Sequence, residues 1–150
     1  MAKQTDEQAP EPLRNRGMVL LLAAARWRAA AEDVLSSVGV SAIQAQILVG
    51  AHVLHTAEGP ANQVHIARWA GLDVMTMSKN VRLLEADGLV KRATNPADTR
   101  ARTVALTPDG IARLRKLEKG LAKRDDRIFG DLGGTQKLRK TLAAFLRMEP

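Results

Sequence analysis

Two helical patterns separated by one glycine, and followed by two short strand patterns, constrain the fold of this chain more than any other feature. The helical patterns cover about residues 62–70 and 73–87, and Gly71 lies between them. Each begins at an Asn or Asp suited to an N-cap. The strand patterns, 89–94 and 102–106, flank the turn sequence NPADTRAR. This order predicts two helices joined by a sharp turn and followed by a two-stranded hairpin.

Helical patterns also surround this central segment, and each has a start or end signal. A Ser-Ala-Ile-Gln capping box opens the helix before the segment, and Thr-Pro-Asp-Gly opens the helix after the hairpin. Gly120 and Gly130 are expected to weaken or interrupt that later helix. The approximate boundaries of these flanking helices are 13–38, 41–55, 107–129 and 135–147. The predicted fold class is therefore mainly α, a winged helix-turn-helix with a two-stranded β wing.

The chain is basic, and its positive charge is concentrated in its second and third parts. Residues 1–59 hold 5 basic and 6 acidic residues, residues 60–106 hold 7 and 4, and residues 107–150 hold 11 and 6. These net charges of −1, +3 and +5 add up to the formal net charge of +7. A polyanionic partner is therefore expected, either nucleic acid or an anionic membrane surface.

Two further features bound the class of protein. The chain has no cysteine, which excludes disulfides, thiolate metal sites and cysteine redox switches. The apolar run GMVLLLAAA is too short to span a bilayer, and Arg26 and Arg28 follow it directly. We therefore expect this run to be one buried face of a helix in a cytoplasmic protein, with no membrane partner.

The helix predicted over residues 73–87 has one apolar side and one side suited to DNA. Its apolar side, with Met77, Val81 and Leu84, is expected to pack into the core, with Val74 near its edge. Hydroxyl and cationic groups on the opposite side suit phosphate oxygens and base edges, although a merely solvated basic face would look the same. The candidate DNA-binding residues of this recognition helix are Met75, Thr76, Ser78, Lys79 and Arg82. The apolar Met75 and Leu83 could contact thymine methyl groups or simply be tolerated there.

The segments MTMSKNVRLLEADGLVKR, NPADTRAR and LTPDG resemble, in this order and spacing, the DNA-binding core of the MarR (multiple antibiotic resistance regulator) family of bacterial transcription regulators. The resemblance covers about residues 13–147, because the long helices before and after the core match in order and length. It implies a homodimer that binds double-stranded DNA, each winged module taking half of a palindromic site. Met75 stands where the family often has a small polar residue, and Ala70 where a larger aliphatic residue is usual.

The resemblance also assigns roles to the charged residues of the hairpin. It implies that Arg100 enters the minor groove of DNA and that Asp98 holds this arginine in place. A narrow minor groove has an enhanced negative potential, which attracts an inserted guanidinium group. Arg102 lies at the strand edge, where it contacts either a phosphate or only solvent.

The same resemblance divides the chain into three parts. Residues 1–12 are polar, with two prolines, and are expected to form a disordered tail. Residues 13–40 and 111–150 are expected to form a helical dimerisation region. Residues 41–110 are expected to form the winged helix-turn-helix module that binds DNA.

The resemblance also implies an effector pocket where the dimerisation helices meet the winged module, near the first, second and fifth helices. Trp27, His52 and His55 are candidate lining residues, because an aromatic body with a few polar groups suits a small aromatic ligand. Trp27 is equally a candidate for a core or interface position. The i, i+3 spacing of His52 and His55 can share a metal, but few carboxylates lie nearby. Neither a metal nor another cofactor is therefore expected.

These observations favour a homodimeric DNA-binding transcription regulator that acts as a ligand-responsive repressor. The sequence contains no Gly-rich phosphate loop, no apolar pair of acids and no obvious nucleophile beside a histidine, so an enzyme is not expected. The main alternative is an architectural or protein-binding winged-helix module that is indifferent to DNA sequence. An enzyme acting on a small molecule ranks third.

Overall fold

The fold is described from a computed structural model, and the description covers residues 10–55, 59–95, 98–130 and 135–146. Most of the tail expected over residues 1–12 lies outside this range. In chain order the elements are a 3₁₀ turn (Glu11–Arg14), α1 (Arg16–Ala30), α2 (Glu32–Ser37), α3 (Ala42–Val53), β1 (Ala61–Asn62), α4 (Gln63–Trp69), α5 (Val74–Ala86), β2 (Val90–Asn95), β3 (Asp98–Leu106), α6 (Pro108–Phe129) and α7 (Thr135–Phe145). The predicted class, mainly α with a β wing, is confirmed.

The helix starts follow the capping residues that were expected from the sequence. Ser41 and Gln44 form a complete capping box at the start of α3. The side chains of Asn62, Asp73 and Thr107 accept backbone N–H groups at the starts of α4, α5 and α6. Because each cap satisfies donors that a helix terminus leaves unpaired, local sequence determines where these helices begin.

The core lies between α3, the helix pair α4 and α5, the sheet and the first half of α6. Its largest fully buried side chains come from each of these elements and from the residue that precedes β2: Ile47, Leu48, Ile66, Met77, Val81, Leu84, Leu89, Val90, Val104 and Leu117. Burial of side chains of this size stabilises the fold by about 1.5–3 kcal/mol each. The position of α5 relative to the sheet is therefore set by close packing.

The wing belongs to a three-stranded antiparallel sheet in the order β1-β3-β2. The predicted hairpin is confirmed. However, β3 begins at residue 98 rather than 102, and residues 98–102 of the charged NPADTRAR segment are therefore part of the strand. Its polar side chains lack the apolar alternation by which a strand is recognised. The two-residue strand β1 was not predicted, because two residues are too few to show a pattern.

The single helix predicted over residues 13–38 is wrong, because the chain divides it into α1 and α2 at Ala31. The N–H of Ala31 donates to the carbonyl oxygens of both Trp27 and Arg28, so the helix tightens there. The division lets Leu35 of α2 reach the core. The expected burial of the apolar run 17–25 is wrong for the single chain, because α1 has no buried residue. No described helix, α1 included, combines the length and apolarity that crossing a membrane requires.

The predicted interruption of the long fifth helix is also wrong. α6 continues for 22 residues through Gly120, and Gly130 is its C-cap. A β-carbon at residue 120 would come within 2.6 Å of Cγ1 of Val34 on α2. This glycine therefore allows α2 and α6 to approach closely, and Arg124 of α6 forms an ion pair with Asp33 of α2 beside the contact.

Hydrogen bonds of the Thr-Pro-Asp-Gly segment hold the start of α6 against the residues that directly follow α5. The hydroxyl of Thr107 donates to the carbonyl of Gly88 at 2.6 Å and accepts the N–H of Gly110 at 3.0 Å. The N–H of Thr107 donates to the carbonyl oxygen of Leu89 at 3.1 Å. A β-carbon at residue 110 would overlap that carbonyl oxygen, so this approach of the two helix ends requires glycine.

Candidate nucleic-acid interface

The inner side of α5 fixes the direction in which its outer side faces. Met77, Val81 and Leu84 are each at most 1% exposed, which confirms the predicted buried side. Val74, expected near the edge of that side, is 64% exposed and belongs to the outer side instead. The outer side is therefore more apolar than the sequence pattern indicated.

The outer face of α5 brings all five candidate residues of the recognition helix together. Met75 is 83% exposed and Leu83 is 47% exposed, while Lys79 and Arg82 are also exposed. A shallow concave surface on this face is lined by Val74, Met75, Thr76, Ser78, Lys79, Arg82 and Leu83. This surface combines an apolar area with two cations, which is a composition suited to DNA bases beside phosphates.

The first turn of α5 is held by its capping residue. One carboxylate oxygen of Asp73 accepts the backbone N–H of Thr76 at 2.8 Å, and the other accepts the Thr76 hydroxyl at 2.6 Å. The hydroxyl and then the backbone hydrogen bond lower the pKa of Asp73 below its usual value. The hydroxyl proton of Thr76 is therefore directed towards Asp73 rather than outward.

Two other polar residues of the outer face are bonded to each other. The guanidinium group of Arg82 donates from Nε to the carbonyl oxygen of Ser78 and from Nη2 to its hydroxyl oxygen, both at 3.2 Å. These bonds hold the guanidinium group against the helix. In this arrangement the cation of Arg82 is folded back one turn along α5 and lies beside Ser78.

The tip of the hairpin presents Arg100 to solvent. The side chain of Arg100 is 95% exposed, and its Nε lies 3.7 Å from Oδ1 of Asp98. The same Oδ1 accepts the backbone N–H of Arg100 at 3.0 Å. Since an exposed ion pair of this length contributes little, Asp98 acts mainly on the backbone of Arg100. The expected contact between the two residues is present, chiefly through the main chain.

Arg102 projects from the side of the sheet that carries core residues. Side chains alternate along a regular strand, so Arg102 shares a face with the fully buried Val104. The guanidinium group of Arg102 donates to the hydroxyl of Thr94 across the hairpin at 3.2 Å. Val104 pairs with Arg92, whose side chain bonds to α5, so this face is turned towards α5.

A charged contact between α5 and the wing was not predicted from the sequence. Arg92 of β2 donates to Oε2 of Glu85 from Nη2 at 2.5 Å and from Nε at 2.7 Å. The backbone N–H of Arg92 donates to Oε1 of the same carboxylate at 3.2 Å. The hydrogen bond from the Arg92 side chain is the main cause of the lowered pKa of Glu85. This contact fixes the wing relative to the recognition helix.

The three candidate effector-pocket residues differ in their surroundings. Trp27 is partly buried against the core, and its indole N–H donates to Oδ1 of Asp125 on α6 at 2.9 Å. His52 and His55 are exposed, His52 in the last turn of α3 and His55 beyond its end. Over the described residues, no group of three or more His, Cys, Asp or Glu side chains is placed to hold a metal ion.

A helix pair followed by a β hairpin, with a cationic outer helix face and an exposed arginine at the hairpin tip, defines the winged-helix class of DNA-binding proteins. The family model described as "ArnR1-like, winged-helix domain" matches residues 42–124. The match begins at the first residue of α3 and ends within α6, so it includes both α5 and the wing.

Three solved structures extend the similarity over most of the chain. A MarR-family transcriptional regulator from Rhodococcus sp. RHA1 is 26% identical, with a TM-score of 0.77, over 87% of this chain and 91% of that one. CouR from Rhodococcus jostii RHA1, bound to p-coumaroyl-CoA, is 26% identical, with a TM-score of 0.73, over 92% and 96%. The transcriptional repressor CouR, bound to a 23-mer DNA duplex, is 24% identical, with a TM-score of 0.73, over 97% and 96%.

The chain is thus a MarR-family transcription regulator, and its DNA-binding part belongs to the ArnR1-like winged-helix domain family. The resemblance inferred from the sequence is confirmed. The relatives are DNA-binding regulators rather than enzymes.

Proposed function

We propose that this regulator is a homodimeric repressor that binds a palindromic operator. The observation that carries the proposal is the continuous arrangement of α5 and the wing, with Met75, Lys79 and Arg82 exposed on the helix and Arg100 exposed at the hairpin tip. The recognition helix enters the major groove by its N-terminal end, as in other helix-turn-helix proteins. Lys79 and Arg82 then contact phosphates or base edges.

The wing contacts the adjacent minor groove of the operator. Arg100 is the residue of this wing best suited to insertion, because its side chain is 95% exposed at the tip of the hairpin. A guanidinium group is attracted by the negative potential of a narrow minor groove. Asp98 holds the backbone of Arg100. Arg102, whose guanidinium group bonds to Thr94, lies two residues further along β3 and contacts a phosphate.

The dimer forms through the helices that flank the winged module. Residues 13–40 and 111–150 form the dimerisation region, and residues 41–110 form the DNA-binding module. Exposed apolar side chains support this division, because contiguous apolar surface on a regulator marks an interaction site. They lie on α1 and on α7 with the residue that follows it: Met18, Val19, Leu21, Leu22, Leu138, Leu142, Phe145 and Leu146. A second copy of the chain covers them.

A small ligand with an aromatic group releases the repressor from DNA. CouR, which is similar over most of this chain, binds p-coumaroyl-CoA. The ligand site that we propose lies between the dimerisation helices and the winged module and includes Trp27, His52 and His55. The hydrogen bond from Trp27 to Asp125 supports this location, since it joins α1 to α6 at the level where a ligand would alter their packing.

Selection of bound fragments from the source organism's DNA tests the proposal. The wild-type protein, Arg100→Ala and the control Arg127→Ala are compared at about 150 mM salt with excess nonspecific competitor, because salt sets the phosphate contribution. Arg127 is an exposed arginine near the end of α6. We expect a palindromic site whose affinity falls about tenfold in Arg100→Ala, within the 1–3 kcal/mol typical of a groove-inserted arginine, and is unchanged in Arg127→Ala.

The ratio of specific to nonspecific affinity separates the regulator from an architectural module. A regulator binds its site about 10³-fold or more tightly than random DNA at the same salt. Uniform, salt-sensitive retention without a motif would refute the proposal and leave a module that holds phosphates, or a partner protein, without reading bases.

A further inference from the structure

Met75 is an unusual residue for the position it occupies. Its side chain is 83% exposed, more than any other large apolar side chain in the part of the chain that the structure describes. It lies in the first turn of α5, the turn that reaches furthest into the major groove in the proposed complex. The apolar surfaces assigned to dimerisation lie on other helices, so the dimer that we propose leaves Met75 uncovered.

The surroundings of Met75 indicate the chemistry of its partner. Val74 precedes it and is 64% exposed, and Lys79 lies one helical turn further along the same face. An apolar patch beside a cation suits a partner that carries an apolar group next to negative charge. In the major groove of DNA, the 5-methyl group of thymine is the apolar feature that a base pair presents, and phosphates flank it.

Two of the polar donors that share the outer face of α5 with Met75 are already engaged in hydrogen bonds. The hydroxyl of Thr76 donates to Asp73, and the guanidinium group of Arg82 is bonded to Ser78. A direct hydrogen bond from either donor to a base edge would first have to replace these bonds. Met75 needs no such rearrangement, because its flexible and polarizable side chain adapts to an apolar surface.

We infer that Met75 reads the 5-methyl group of a pyrimidine, thymine in unmodified DNA, at one position of each half-site. Cytosine at that position lacks the methyl group and presents an amino group for which methionine offers only a weak acceptor, its thioether sulfur. Met75 is then a specificity-determining residue of the recognition helix. This inference rests on the proposed function, since it requires a base-specific site in the major groove.

Removal of single methyl groups from the DNA tests the inference. In the selected operator, each thymine is replaced by deoxyuridine, which differs only in the absent 5-methyl group, and affinities are measured by fluorescence anisotropy. We expect one thymine in each half-site at which the replacement weakens wild-type binding about fourfold, since a buried methyl group contributes about 0.8 kcal/mol. In Met75→Ala the same replacement has no effect, so the energies of the two changes are not additive.

Val53→Ala serves as the matched control, because Val53 is an exposed apolar residue, 58% exposed, that lies in the last turn of α3 and outside the outer face of α5. This variant keeps the fourfold effect of deoxyuridine. Thermal melts of all three proteins, monitored by circular dichroism, verify that each one is folded.

The outcomes separate this inference from the proposed function. A specific operator whose binding is insensitive to every deoxyuridine, or equally sensitive in Met75→Ala, would overturn the role of Met75 and leave the repressor proposal standing. Selection that yields no motif would overturn both. Restoration of tight binding when 5-methylcytosine, but not cytosine, replaces the critical thymine would support recognition of the methyl group itself.

Discussion

The winged module and the helices that flank it bury their apolar side chains in different ways. Helices α3, α4 and α5 each place side chains such as Ile47, Ile66 and Leu84 in one core, where all three are fully buried. By contrast, α1 has no buried residue, and none of the side chains described on α7 is buried. The winged module therefore buries its apolar side chains within one chain, whereas α1 and α7 leave apolar surface exposed.

Truncation of a buried leucine tests the winged-module half of this comparison and has the largest expected effect. We expect Leu84→Ala to lower the free energy of unfolding by about 2–5 kcal/mol, because it leaves a cavity in the core. Leu83→Ala is the control, since the neighbouring side chain is 47% exposed, and we expect a change of about 0.5 kcal/mol or less. Urea denaturation followed by circular dichroism measures both. Equal losses in the two variants would contradict the assignment of the buried side.

A charged substitution on α1 tests the second part of the comparison, the exposed apolar surface of the flanking helices. Leu21 is 64% exposed in a single chain, so Leu21→Glu leaves the fold of one chain intact but places a carboxylate in the proposed dimer interface. We expect the dissociation constant of the dimer to rise at least tenfold, or about 1.4 kcal/mol or more, as measured by sedimentation velocity. Val64→Glu, at a 52% exposed position of α4, should leave self-association unchanged. An unchanged dissociation constant in both variants would show that the dimer interface does not include this part of α1.

The contact between Glu85 and Arg92 predicts a smaller, pH-dependent effect within the winged module. Because the hydrogen bond from Arg92 lowers the pKa of Glu85, its contribution to stability is present above the ordinary value of 4.5 and is lost as the pH falls through the lowered pKa. Glu85→Gln should therefore melt below the wild type at pH 7, and the two melting temperatures should converge below about pH 4.5.

Glu118→Gln provides the control for this experiment, since Glu118 is an exposed acid on α6. Its melting temperature should follow that of the wild type across the pH range. A difference between Glu85→Gln and the wild type that stays constant from pH 7 to pH 3 would show that the carboxylate charge does not stabilise the contact.

Features that depend on a few neighbouring residues were predictable from the sequence. Asn62, Asp73 and Thr107 were identified as caps because a cap acts on N–H groups two or three residues away. The buried side of α5 followed in the same way from the spacing of its apolar residues. The order of these local signals was sufficient to predict the winged helix-turn-helix.

Features that depend on how separate elements pack were not predictable. The pairing of Glu85 with Arg92 joins a helix to a strand, and nothing in their spacing of seven residues indicates that the two side chains meet. Gly120 was expected to weaken α6 because glycine is a poor helix former, yet its missing side chain admits Val34 of α2. At Gly120 the contact between helices outweighs the low helix propensity of glycine. At Glu85 the contact with the strand adds to what the helix pattern alone specifies.

The unbroken length of α6 has a geometric consequence for regulation. At 1.5 Å per residue, its 22 residues make a rod about 33 Å long, and the hydroxyl of Thr107 bonds one end to Gly88, just beyond the end of the recognition helix. A tilt of about 5° about one end of such a rod moves the other end by about 3 Å. In the proposed dimer, a ligand that tilts the far end of α6 would change the separation of the two recognition helices, which must match one helical turn of DNA, about 34 Å.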